Sequence, residues 1–77
     1  MTLSTALTGG EYLFITCDAP MRIRNKLETL GLVPGEQISV IQNTRAGIII
    51  EVKQSRLAIA HDLARSLFVS SHQEEAE

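Results

Sequence analysis

Few residues in this chain could ligate a metal or act as a nucleophile: one cysteine, Cys17, two histidines, His61 and His72, and Asp62 beside the first of these. A transition-metal site usually draws on Cys or His paired at short spacing, so that two ligands leave one turn or one helix face together. Here the candidates are scattered. His61 and Asp62 are adjacent, but neighbours at i and i+1 on a helix point in different directions. Both fit the start of a short helix, where an acidic side chain meets the positive end of the dipole. Neither a metal site nor a resident cofactor is expected. Cys17 ends an apolar, β-rich run with only strand neighbours in sequence, and reads as a small half-buried strand residue. No glycine-rich loop leading to Lys and Ser or Thr is present, so the chain is not itself a GTPase and is expected to have no enzymatic activity.

Charge offers a different chemistry. Arg22, Arg24 and Lys26 share a short segment with Glu28, a local excess of positive charge in an otherwise balanced body. A solvated helix face is the simplest explanation. The alternative is docking on an acidic protein surface, where such charges speed association and select orientation. All seven basic residues but only six of the nine acidic ones precede Ser70, so residues 1–69 are near neutral. That balance cannot build a broad phosphate-neutralising surface, and nucleic acid is not expected as a partner. Tyr12, Phe14 and Phe68 are the only aromatics, too few to line a groove for polyproline peptides.

The elements that position these residues follow from punctuation and periodicity. Seventy-seven residues, 44% of them hydrophobic, make one domain with an economical aliphatic core. Leu30-Gly31-Leu32-Val33-Pro34-Gly35 ends a helix, turns the backbone and launches a strand. Gly31 can take the left-handed conformation that closes a helix while Leu32 folds back onto its last turn. Pro34-Gly35 suits the centre of a type II turn. Upstream, Thr8-Gly9-Gly10 marks a loop and Glu11–Cys17 a strand buried on much of both faces. Asp18 is placed to cap a helix running from Met21 to Leu30, with Pro20 at its entry and Ile23, Leu27 and Leu30 inward.

Downstream, Glu36–Asn43 and Gly47–Lys53 read as an antiparallel hairpin. Ile48, Ile50 and Val52 line one face, and Ile49 on the other is expected to be covered. A turn at Gln54-Ser55, lacking the usual Gly or Asn, leads to a strand over Arg56–Ala60. His61–Leu67 forms a short helix with Leu63, Ala64 and Leu67 inward, and Phe68-Val69 a last strand. Five short strands with two small helices, mainly β, cannot fill a two-sheet sandwich, whereas closing a strongly bent sheet into a small SH3-like barrel removes its exposed edges. Residues 1–69 form that domain, and 70–77 a polar, disordered tail. The lone cysteine is compatible with a reducing compartment. No basic segment with an apolar core opens the chain, and no apolar run approaches the ~20 residues that cross a bilayer. The protein is read as intracellular, without direct membrane insertion.

Leu7-Thr8-Gly9-Gly10-Glu11, the Arg-containing helix Met21 to Leu30, the Leu30 to Gly35 turn and Leu57-Ala58-Ile59 before Ala64 occur in an order that resembles the FeoA-type accessory domain of bacterial ferrous iron transport. Two departures stand out: no glycine at Gln54-Ser55, and His61 where the family often has another polar residue. The resemblance implies an SH3-like barrel, a cytoplasmic location at the inner membrane, and association with the large ferrous iron permease of the system (FeoB type), which carries a GTP-binding domain. It implies a non-enzymatic adaptor. The fold is also similar to the C-terminal domain of metal-dependent repressors of the diphtheria-toxin-repressor type, so a regulatory or oligomerisation module is the alternative. The contact surface is expected at Arg22, Arg24 and Lys26 with the adjoining Leu32, Val33 and Pro34. Self-association is left open.

Overall fold

Alternation decides where the sheet faces. In Gly47–Val52, Ile48, Ile50 and Val52 are almost wholly buried while Gly47, Ile49 and Glu51 between them are only half-buried. The computed structural model describes residues 1–71. Five strands, β1 (Glu11–Cys17), β2 (Gln37–Thr44), β3 (Gly47–Val52), β4 (Ser55–Ile59) and β5 (Leu67–Ser71), form one antiparallel sheet in the order β4-β3-β2-β1-β5. Helix α1 (Met21–Thr29) joins β1 to β2, and α2 (His61–Ala64) joins β4 to β5.

Two bulges bend this sheet. Phe14 faces Val69 and Thr16 faces Phe68, leaving Ile15 as an extra residue; Ile41 is likewise extra between Val40 and Gln42. A bulge increases local twist and lets a sheet wrap around a core. The inner face brings together Phe14, Ile38, Val40, Ile48, Ile50, Leu67 and Val69, with Leu27 and Leu32 covering it from the α1 side. Burying each such side chain contributes roughly 1.5–3 kcal/mol. The result is the SH3-like barrel fold, although β4 and β5 do not pair and the sheet is not closed. The expected loss of edges is met on one side only, by the N-terminal residues. Thr2 bridges Phe68, and Val69 N–H donates to the Met1 carbonyl at 2.9 Å.

Several expectations need correction. Ile15 and Thr16 are exposed, so β1 is not buried on both faces; the bulge at Ile15 disrupts the alternation there. Asp18 does not cap α1, whose N-cap is Pro20 without a side-chain hydrogen bond; the Asp18 N–H instead donates to the Ser66 carbonyl at 2.8 Å. Ile49 is only half-buried, not covered. Helix α2 stops at Ala64, and Leu67 opens β5. Ser70 and Ser71 continue that strand opposite Leu13 and Tyr12, two residues past the expected domain boundary. The remaining tail and His72 lie outside the described residues.

The β3–β4 turn is Lys53-Gln54, one residue earlier than expected, and both residues have positive φ, 50° and 67°. A two-residue connection between twisted strands demands that geometry whatever the residue type. Before β1, the Tyr12 hydroxyl accepts the Leu7 N–H at 2.9 Å. A Cβ on Gly10 would come within 2.8 Å of Tyr12 Cε2, which explains the glycine.

Candidate protein-docking surface

Helix α1 owes its place to its two ends. At the C-terminus, Leu32 N–H donates to the Leu27 carbonyl at 2.9 Å and Gly31 N–H to the Glu28 carbonyl at 3.0 Å, with Gly31 at φ 101°. This is a Schellman motif, and its characteristic apolar contact is Leu32 beneath Leu27. Val33 to Glu36 then form the expected turn: Gly35 has φ 92° and Glu36 N–H donates to the Val33 carbonyl at 3.0 Å. Gly35 N–H and the Glu36 carbonyl bond to the Phe14 carbonyl and N–H at 2.8 and 2.9 Å, pinning the corner to the middle of β1.

That corner sorts the six proposed contact residues. Arg22, Arg24 and Lys26 are exposed, and none forms a salt bridge among the described residues. Pro34 is exposed and Val33 half-buried. Leu32, at 1% exposure, is a core residue and is removed from the surface, because the reversal at Gly31 turns its side chain inward. Leu30, expected inside, is instead 43% exposed: it is the C-cap, and Leu32 fills the space it would have taken. Met21, at 70%, is exposed at the other end of the helix.

Lys53 completes the corner and was not recognised from sequence. Its ammonium stands 3.7 Å from Glu36 Oε1, and its stem passes Gly31, where a Cβ would lie 3.4 Å from Lys53 Cδ. A contact between residues that far apart leaves no local sequence signal. Between α1 and β1 a narrow cleft is lined by Phe14, Thr16, Cys17, Arg24, Glu28 and Pro34, among others. Cys17 is buried there, and burial pushes its thiol above the ordinary 9.0, with the Arg24 charge opposing and Asp18 adding to the shift. A thiol held protonated is a poor nucleophile.

His61 and Asp62 make contacts within the fold. His61 Nε2 donates to the Thr44 carbonyl at 2.6 Å, tying α2 to the β2–β3 turn, and Asp62 accepts from Arg65 at 2.9 Å. No group of three or more His, Cys, Asp or Glu able to hold a metal ion occurs among the described residues. No helix there is long and apolar enough to cross a membrane.

Fold and surface together define a small SH3-like β-domain that presents exposed cations on a helix pinned to its sheet. The FeoA domain profile matches residues 1–71, and the chain belongs to the FeoA family. It is 32% identical to an iron uptake regulatory protein (FeoA) of known crystal structure, with a TM-score of 0.82, covering 91% of this chain and 95% of that one. The solution structure of a FeoA protein from Chlorobium tepidum is 24% identical, with a TM-score of 0.86 over 94% of this chain and 70% of its own. IdeR from T. acidophilum shares the fold at 18% identity and a TM-score of 0.81, over 92% of this chain but only 33% of that longer one. No curated protein sequence matches the chain significantly.

Proposed function

We propose that this protein is a non-enzymatic accessory protein of ferrous iron uptake that binds the cytoplasmic side of the GTP-binding ferrous iron permease and supports its assembly or activity. Membership of the FeoA family over residues 1–71 carries this reading. The protein would then lie in the cytoplasm, at the inner membrane only through its partner. The proposed contact surface is Arg22, Arg24 and Lys26 with Val33 and Pro34, now without Leu32. Rim charges of this kind act mainly on association rate and orientation. An accessory protein shifts a transporter between states only as far as it binds one of them more tightly, so the mechanism is differential binding.

A regulatory module akin to part of a metal-dependent repressor is the second reading, favoured by the likeness to IdeR, which is one of fold alone. Among the described residues the chain forms no helix-turn-helix, since α1 leads into β2 and α2 into β5. The two readings separate in a binding assay with purified, detergent-solubilised permease. Wild-type protein should bind it, and the double variant Arg22→Glu/Arg24→Glu should bind it weakly while keeping its melting temperature. Absence of wild-type binding would remove the adaptor reading, and equal binding by the variant would remove the assigned surface.

A further inference from the structure

The two edges of the sheet are not treated alike. The edge of β5 is covered by the N-terminal residues through the Thr2–Phe68 bridge and the bond from Val69 N–H to Met1. Among the described residues, strand β4 pairs with β3 alone, in an unbroken register from Val52–Ser55 to Ile48–Ile59. It contains no proline and no bulge, two of the devices that usually blunt an edge.

The two-residue turn decides which groups that edge offers. Val52 and Ser55 close the turn as a hydrogen-bonded pair, and antiparallel pairs alternate, so Ser55, Leu57 and Ile59 direct their main-chain groups toward β3. The Ile59 carbonyl agrees, lying 3.1 Å from where a Cβ on Gly47 would stand. Arg56 and Ala58 therefore point their N–H and C=O groups outward, and these have no partner among the described residues.

We infer that β4 is a self-pairing edge, through which two copies of this chain join antiparallel about a two-fold axis at Leu57. In that register Arg56 lies opposite the partner's Ala58, and Ala58 opposite the partner's Arg56. Both pairs exchange their two main-chain bonds, and Leu57 meets the partner's Leu57 as the close, non-bonded pair on the axis. Charge supports this occupant. No like charges sit directly opposite each other, because each Arg56 stands over an alanine; the two Arg56 are diagonal neighbours across the axis, and each has Glu51 of its own β3 beside it as a compensating charge. Half-buried Leu57 loses its remaining exposure on the inner face. A strand of five residues buries too little for a permanent dimer, so the association is weak and depends on concentration. It uses residues other than the proposed permease contacts.

Sedimentation velocity of the full 77-residue chain over a wide concentration range tests this, read alongside amide hydrogen exchange by NMR. Dimer formation should grow with concentration, and the Arg56 and Ala58 amides should gain protection as it does, whereas the Leu57 amide is protected throughout. Ala58→Pro removes an N–H that the monomer does not use and should raise the dissociation constant by about tenfold or more. Ala58→Lys sets like charges against the partner's Arg56 and should weaken the dimer, and Ala58→Glu should tighten it several-fold at low salt. Ala58 is exposed, so the two charge variants fold irrespective of the dimer. A chain that stays monomeric at about 1 mM, with Ala58→Glu monomeric as well, overturns the inference. So does a dimer that none of these substitutions alters, or one whose formation leaves the Arg56 and Ala58 amides unprotected.

Discussion

The corner from α1 to β2 and the hairpin from β3 to β4 solve the same problem, a sharp reversal beside the core, in opposite ways. At the corner, Gly31 and Gly35 take up the positive φ values, and every reversal coincides with a residue suited to it. At the hairpin, Lys53 and Gln54 adopt positive φ without being glycine. There the strand pairing on either side imposes the geometry, and local preference is overridden. The corner specifies its own shape, while the hairpin borrows its shape from the sheet. The two regions also meet, because Lys53 reaches across to Gly31 and Glu36.

Removing the side chain that seals the corner should have the largest effect. Leu32→Ala leaves a cavity under Leu27 and should cost about 2–5 kcal/mol, measured by urea unfolding. Gly31→Ala should cost about 1–2 kcal/mol, since an L-residue there is held at φ 101°. If the hairpin is the strained partner, Gln54→Gly should change stability in the other direction, a gain of about 1 kcal/mol. A loss at Gln54→Gly would mean that the sheet imposes no strain and that the contrast between the regions is false.

The buried thiol beside the corner gives a smaller effect that depends on pH. Cys17 ionises less readily folded than unfolded, because burial dominates its environment. Its contribution is therefore complete below the ordinary value of 9.0 and is lost as pH rises through the higher folded value. Wild type should lose stability in that alkaline range relative to Cys17→Ser, and iodoacetamide should label the folded protein far more slowly than the unfolded chain. Arg22→Glu/Arg24→Glu should change stability least, within about 0.5 kcal/mol, because both side chains are exposed and form no salt bridge among the described residues.

The contrast also explains what could be read in advance. The order of elements, the Schellman cap and the turn at Pro34-Gly35 were legible because each rests on residues within six positions of one another. The bulges at Ile15 and Ile41 were not, since an isoleucine there differs in no local way from one in regular strand. Leu30 and Leu32 were exchanged between surface and core for a related reason. Helical spacing points Leu30 inward, but the chain has already left the helix at its cap, and the reversal at Gly31 delivers Leu32 instead. At the α1 corner, Arg22, Arg24, Lys26 and Pro34 are exposed as expected, whereas the contact of Lys53 with Glu36 and the exposure of Leu30 depended on the tertiary fold.

Affinity purification of the tagged chain from its own cells, grown anaerobically under iron limitation with membranes solubilised, tests the central claim most directly. The account predicts that a GTP-binding ferrous iron permease co-purifies with the wild type and is depleted from the Arg22→Glu/Arg24→Glu preparation. Recovery of soluble regulators alone, under conditions that retain other membrane complexes, would contradict it.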